Sequence, residues 1–251
     1  MSPRPMRWLA YARWQLVDGA WQRLALPLVL AMLLAYGAFY STKGMAAAHP
    51  DFWTNTDGRR FAFQLLRQAM GVFIPLAVLM GTNGMVAQDR QKGYFRFFFS
   101  KPVPVTGFYV SAFVAQGALV MAGAALVAAL IGVRSTPQPM LGVALAAGLT
   151  FALLGSLLFL LSTLTYQDGL VFILVWMLTL IVRQLEPAMN AGHWLHSAVR
   201  VLPPTHRLDA VREALYAAQP VATADVWHVL AYGGACFVLA LVALRRMPLS
   251  R

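Results

Sequence analysis

Apolar runs long enough to cross a bilayer recur along the chain, and they constrain its fold more than any other feature. Of the 251 residues, 59% are hydrophobic and 12% are charged, whereas a soluble domain carries roughly twice that share of charge. The pattern predicts an all-α integral membrane protein with one transmembrane domain over residues 1–251. Six transmembrane helices are predicted, at about residues 24–40, 68–87, 107–133, 139–164, 169–185 and 226–244.

The distribution of positive charge predicts which way these spans face. With six spans both termini lie on one side, and the segments on that side (1–23, 88–106 and 245–251) carry eleven Lys and Arg residues. The longer loops on the other side carry nine. Because Lys and Arg accumulate in cytoplasmic segments, we expect cytoplasmic termini. The net charge of +11 is then explained by topology and by contact with anionic lipid, not by nucleic acid.

Two segments outside the spans are predicted to lie along the membrane surface. Residues 5–23 fit an amphipathic N-terminal interfacial helix, which is either a passive anchor or an element that moves with the first span. Residues 206–218 place Leu208, Val211 and Leu215 on one helical face. We therefore expect short outer helices before the last span.

The spans contain almost no ionisable residues, with no Asp or Glu at mid-depth. Proton- or ion-coupled pumps usually need such groups, so the chain is not expected to drive transport alone. It has no G-x-x-x-x-G-K-[ST], G-x-S-x-G or H-E-x-x-H motif. We predict no enzymatic activity, no catalytic residue and no bound metal. For His193, His196 and His206, ordinary interfacial histidines are favoured over a metal site.

The segment DRQKGYFRFFFSKPVPVTGFY, residues 89–109, combines basic and aromatic residues between two apolar runs. It is too charged to enter lipid and too aromatic for a free loop. A short helix along the inner membrane surface satisfies both demands, with its rings at the interface or in a partner's cleft. Pro102 and Pro104 would end that helix. An amphipathic anchor without a partner is the alternative.

This segment resembles the cytoplasmic loop of ABC-2-type ABC transporter permeases, the transmembrane subunits of bacterial ABC exporters. That family carries an acidic residue, a Gly four positions later, a hydrophobic run and Ser-x-Pro before the third span. Here these are Asp89, Gly93, YFRFFF and Ser100-Lys101-Pro102, with Asp where the family usually has Glu. The outer segment VLPPTHRLDAVREAL, at 201–215, is similar to the Leu-Pro motif before the sixth span of the family.

The resemblance implies that the loop 88–106 is a coupling helix that docks into a cleft of a separate ABC ATP-binding subunit. The residues expected to make that contact are Asp89, Arg90, Lys92, Gly93, Tyr94 and Phe95, with the loop 165–169, which contains Asp168, as a lesser second contact. ATP and Mg would be held by the partner, and no cofactor by this chain. Two ATP-binding subunits and a second permease subunit, in a homo- or heterodimer, would complete the transporter in the bacterial inner membrane.

The resemblance also implies that the outer segment helps to close the outer end of the transport pathway. The residues assigned to this outer gate are Leu202, Pro203, Pro204, Leu208, Val211 and Leu215. A helix that merely lies on the surface is the alternative. The same scaffold would also serve a non-transporting ABC-like subunit that remodels the envelope or regulates a partner protein, and the sequence does not select a substrate.

Overall fold

The computed structural model describes residues 23–43, 55–91, 105–135, 139–185 and 202–246, together with positions 17, 47, 49 and 51–53. Within these ranges the regular structure is helical, without strands. The interfacial helix predicted at residues 5–23 lies outside the described residues, apart from Val17 and Arg23. The helices are α1 (Ala25–Ser41), α2 (Thr56–Thr82), α3 (Ala87–Gln91), α4 (Val105–Arg134), α5 (Met140–Thr150), α6 (Ser156–Leu164), α7 (Asp168–Leu185), α8 (Thr205–Tyr216) and α9 (Thr223–Arg246).

Four helical segments are long and apolar enough to cross a membrane by length and composition. They are Thr56–Gln91, which includes α2 and α3, Val105–Val133, Met140–Leu164 and Thr223–Arg246. The shortest has 24 residues and rises about 36 Å along its axis, whereas the hydrocarbon core is about 30 Å thick. These lengths and compositions indicate a membrane-embedded helical protein.

The other two predicted spans correspond to shorter apolar helices. Helix α1 has 17 residues and rises about 26 Å, so it would cross only where the bilayer thins locally. In α7 the apolar part is Asp168–Val182. The described residues thus contain four candidate spans, and the count of six stays a prediction.

Helix α2 begins well before residue 68, which is the predicted start of the second span. It begins at Thr56 because Asn55 caps it: Asn55 Oδ1 accepts a hydrogen bond from Gly58 N–H at 2.8 Å. The first turns of α2 carry charged residues, so the sequence pattern predicts an outer loop there instead of part of the span. The connection between α1 and α2 is correspondingly shorter than predicted.

A π-helical segment, Phe151–Gly155, joins α5 and α6 into one continuous helix, referred to below as the α5–α6 helix. Helix α9 approaches this segment so closely that a Cβ on Gly233 would overlap the Ala152 carbonyl. The Phe151 ring packs against Phe113 of α4, with centroids 4.7 Å apart. Small residues permit such close approach of helices in lipid, so the position of α9 depends on Gly233.

The core lies where α2, α4 and the α5–α6 helix meet. Phe73 on α2, Ile131 on α4 and Leu154 in the α5–α6 helix are almost completely buried there. By contrast, α1 and α7 present large apolar side chains at the surface, including Leu33 and Leu174 at 60% and 59% exposure. Extended apolar surface of this kind meets lipid or another protein.

Gly233→Ala is expected to destabilise the protein by about 1–3 kcal/mol, because the added Cβ would meet backbone atoms of Ala152 that cannot move aside. Gly234→Ala is the matched control, since nothing lies within 4 Å of a Cβ at that position. Thermal unfolding in detergent measures both variants. Equal midpoints would contradict the close packing of α9 on the α5–α6 helix.

Candidate functional site

The chain leaves its helical path between α2 and α3, at residues 83–86. The Asn83 N–H still donates to the Leu79 carbonyl at 2.8 Å. Gly84 then has a φ of 69°, in the left-handed region that favours glycine. The three residues after Asn83 are buried. Buried N–H groups that have left a helix need other acceptors.

Two side chains from a distant part of the chain supply acceptors for these N–H groups. Asp168 Oδ2 accepts from the Gly84 N–H at 2.7 Å. Ser162 Oγ accepts from the Val86 and Ala87 N–H groups at 3.0 and 3.2 Å. Ser162 lies near the end of α6 and Asp168 begins α7, so the loop between those helices is joined to the break after α2. These three hydrogen bonds are referred to below as the clasp.

Asp168 is part of the clasp and is almost fully buried, at 3% exposure. It lies in the first turn of α7, where the helix dipole stabilises a negative charge. The next residue, Gly169, permits close approach, since a Cβ there would lie 2.6 Å from Asn83 Oδ1. The two loops are therefore packed together as well as hydrogen-bonded.

Asp89 ties α3 to a third helix. The Tyr109 hydroxyl donates to Asp89 Oδ2 at 2.9 Å. Tyr109 lies in the second turn of α4 and is fully buried, whereas Asp89 is half-buried. A carboxylate acceptor makes this hydrogen bond stronger than one between neutral groups. The start of α4 is thereby held against α3.

Arg90 lies across the loop that follows α6. Its guanidinium donates to the Thr163 carbonyl at 3.3 Å and to the Tyr166 hydroxyl at 3.1 Å. It also lies 4.7 Å from the centroid of the Tyr166 ring. The planar guanidinium combines hydrogen bonding with ring contact, which a Lys ammonium does less well. Tyr166 is 55% exposed, so this contact borders the clasp at the protein surface.

The residues predicted to couple to an ATP-binding subunit fall into two groups. Those that the structure describes lie together at the clasp: Asp89, Arg90 and Asp168. The others lie outside the described residues: Lys92, Gly93, Tyr94 and Phe95.

Sequence reasoning did not find Ser162 or Tyr109, and it included Tyr166 only as part of the loop 165–169. Ser162 opens the polar stretch STLTYQDG at the end of an apolar run. Ser, Thr and Asp side chains in such places often bond to nearby backbone groups, and this was the available signal. Tyr109 carried no comparable signal in the sequence, because tyrosines are common at membrane interfaces.

The residues assigned to the outer gate lie at the opposite end of the α5–α6 helix. Helix α8 packs against α5, and a Cβ on Gly142 would overlap the Leu215 carbonyl. Gly142 and Ser162 are about 30 Å apart along one continuous helix. The gate residues that are buried are Pro203, Pro204, Leu208 and Val211, and those that are half-buried are Leu202 and Leu215.

Helix α8 is also held by ion pairs. Arg67 on α2 pairs with Glu213 at 2.9 Å, and Arg207 pairs with Asp225 at 3.3 Å. These pairs are partly exposed, so each contributes little to stability. Burial raises the pKa of Tyr216, at the end of α8, above its usual value, so its hydroxyl is neutral near pH 7.

Within the described part of the chain, no group of three or more His, Cys, Asp or Glu side chains is placed to hold a metal ion. His206 is exposed on α8. His193 and His196 lie outside the described residues.

A scan of the sequence against protein-family models gives no match, and a search of curated proteins gives none. The function is therefore inferred from the residues and from the geometry of the clasp.

Ser162→Ala is expected to lower the free energy of unfolding by about 1–3 kcal/mol, because two buried N–H groups lose their acceptor. Hydrogen exchange at the Val86 and Ala87 amides should become faster. Thr163→Val is the matched control, since the neighbouring Thr163 hydroxyl bonds to the Leu160 carbonyl of its own helix. Similar exchange in the two variants would show that the clasp does not hold this segment.

Proposed function

We propose that this chain is the permease subunit of an ABC-2-type ATP-driven exporter in the bacterial inner membrane, with six spans and cytoplasmic termini. The observation that carries the proposal is the clasp, which fixes the base of the loop 88–106 to the ends of α6 and α7. A loop that receives force from a partner must be attached to the helices that it moves. The clasp meets this requirement.

The energy for transport would come from the partner. ATP shifts a conformational equilibrium only if it binds the two conformations with different affinity. An ATP-binding subunit bound to the loop 88–106 would provide that difference. The aromatic residues of the loop suit an apolar cleft, and its charges would fix the register, as in other interfaces with buried aromatic and Arg anchors. This part of the proposal follows from the sequence resemblance.

Motion of α3 would reach the bundle by three routes. The Asp89–Tyr109 bond leads to α4, and Arg90 leads to the loop after α6. The Asp168–Gly84 bond leads to α7. All three meet within one short segment, so the ends of α4, α6 and α7 would move together when a partner displaces the loop.

Asp168 takes a different role in this proposal from the one that the resemblance implied. Because it is buried and bonded to Gly84 N–H, it would position the loop instead of touching the ATP-binding subunit. The exposed residues of the same loop, Tyr166 and Gln167, would provide the second contact surface.

The outer gate would respond through the α5–α6 helix. Helix α8 packs on the start of this helix and the clasp lies at its other end, so a tilt of the helix changes both ends at once. The gate would consist of the apolar side of α8, including Leu208 and Val211, with Pro203 and Pro204 at its start.

The complete transporter would contain two ATP-binding subunits, which hold ATP and Mg, and a second permease subunit. The exposed apolar faces of α1 and α7 suit contact with lipid and with such a subunit. This chain itself would hold no cofactor and catalyse no reaction.

Purification of the tagged chain from its native membrane is expected to bring with it an ATP-hydrolysing protein. Tyr94→Ala combined with Phe95→Ala should remove most of this copurified ATPase, because aromatic anchors dominate such interfaces. Gly93→Trp should do the same by blocking close backbone approach. Copurified ATPase activity and membrane insertion are the two measurements.

Trp227→Ala is the control for these variants, since it removes an aromatic residue that is 71% exposed on α9. Retention of the ATPase by every variant at the level of the unmodified chain would overturn the docking assignment. A copurified ATPase that responds to a protein partner, and to no solute or lipid, would instead favour the non-transporting ABC-like subunit.

A further inference from the structure

A groove lies between α1 and α4. Its volume is about 710 Å³, and it is open along one side. Among the described residues, it shares none with the clasp, the coupling loop or the outer gate. Its lining residues on α4 are Val127, Leu130 and Ile131, and those on α1 and the following connection include Met32, Tyr36, Tyr40, Lys43 and Trp53.

The groove changes from apolar to polar along its length. Its apolar surface is offered by Leu130 and Met32, which are 39% and 42% exposed, whereas Val127 and Ile131 beneath them are almost fully buried. The Tyr36 and Tyr40 rings stack along one wall, with centroids 6.4 Å apart, and are 69% and 68% exposed. Lys43 follows the tyrosines along the chain, just after the end of α1, and also lines the groove. A ligand that fits must therefore be apolar along its body and polar at one end.

The length of the groove matches one leaflet of a bilayer. Met32 and Lys43 both line it and lie about 16 Å apart along a helical path. One leaflet contributes about half of the 30 Å hydrocarbon core. The tyrosines are then placed where aromatic residues concentrate in membrane proteins, at the headgroup level, and Lys43 follows them just after the end of α1.

The charge at the polar end favours an anion. Lys43 is exposed, and no described carboxylate forms an ion pair with it. No Asp or Glu lines the groove among the described residues. A Lys ammonium binds phosphate as a point charge, and tyrosine hydroxyls beside it donate further hydrogen bonds.

We propose that this groove binds one anionic phospholipid from the surrounding membrane, with an acyl chain on Leu130 and Met32 and the phosphate at Lys43. The lipid would fill the gap between α1 and α4 and hold α1 against the bundle. The proposal requires only that the chain lies in a membrane, so it does not depend on the ATP-binding partner or on the coupling loop.

Trp53 provides a reporter inside the groove, because it lines the groove and its ring centroid lies 5.3 Å from that of Phe39. A variant that keeps Trp53 and carries Phe in place of the other tryptophans is reconstituted into phosphatidylcholine vesicles. Brominated phosphatidylglycerol or brominated phosphatidylcholine is then added at equal mole fraction. We expect the brominated anionic lipid to quench Trp53 with about fivefold higher apparent affinity, the preference that one Lys near anionic lipid provides.

Lys43→Gln should abolish this preference, and Lys43→Arg should keep it. A variant that keeps only Trp227, which is exposed on α9, should show no preference for either lipid. Equal quenching of Trp53 by the two lipids in the chain with Lys43 would overturn the proposal. Absence of quenching at Trp53 would also overturn it, by showing that another part of this chain or a second copy fills the groove.

Native mass spectrometry tests the same proposal without replacing tryptophans. The full chain, released from phosphatidylglycerol-containing nanodiscs, should retain one phosphatidylglycerol at collision energies that strip it from Lys43→Gln. Arg59→Gln is the matched control, since it removes an exposed cation at the start of α2 that does not line the groove. Equal lipid loss from the two variants would contradict the assignment of Lys43 to the phosphate.

Discussion

Backbone N–H groups that are buried outside a helix must find acceptors, and this requirement organises one end of the molecule. The break after α2 leaves three such groups, and Ser162 and Asp168 accept from them across more than seventy residues of sequence. Because an unsatisfied buried N–H costs about 1–3 kcal/mol, the break cannot separate easily from the loop between α6 and α7. Arg90 and the Asp89–Tyr109 pair extend the attachment to Tyr166 and to α4. A short segment of chain is thus fixed to three helices at once.

The α5–α6 helix links the opposite end of the protein to this segment, and so does α2, whose Arg67 pairs with Glu213 of α8. The α5–α6 helix carries Ser162 at one end and meets α8 at the other, where Gly142 allows the Leu215 carbonyl to approach. Helix α9 packs closely against the π-helical part of the same helix at Gly233. Rigid helices packed with small residues transmit displacement over such distances. The α5–α6 helix is therefore a natural route between the proposed coupling loop and the proposed outer gate.

The sequence predicted the all-helical class and the presence of helices long and apolar enough to cross a membrane, because apolar length in a membrane protein is a strong and local signal. It placed the start of the second helix too late, since charged turns beyond the apolar run were assigned to a loop although Asn55 caps them. It also brought Asp89, Arg90 and Asp168 into one hypothesis, but only through a family resemblance. The contacts themselves could not be predicted. The pairing of Ser162 with Val86, or of Tyr109 with Asp89, depends on how distant helices pack, and neither residue is unusual in its own neighbourhood.

The proposed coupling requires α3 and the loop 165–167 to move as one unit when an ATP-binding partner acts. Spin labels at Gln91→Cys and Gln167→Cys, both exposed, in a Cys236→Ala background report their separation by pulsed electron paramagnetic resonance. A label at the exposed Ala222, at the start of α9, provides the distant reference. With the copurified ATPase, addition of ATP should leave the 91–167 distance unchanged and shift the 91–222 distance. A 91–167 distance that shifts or broadens on addition of ATP would show that α3 and the loop 165–167 do not move as one unit.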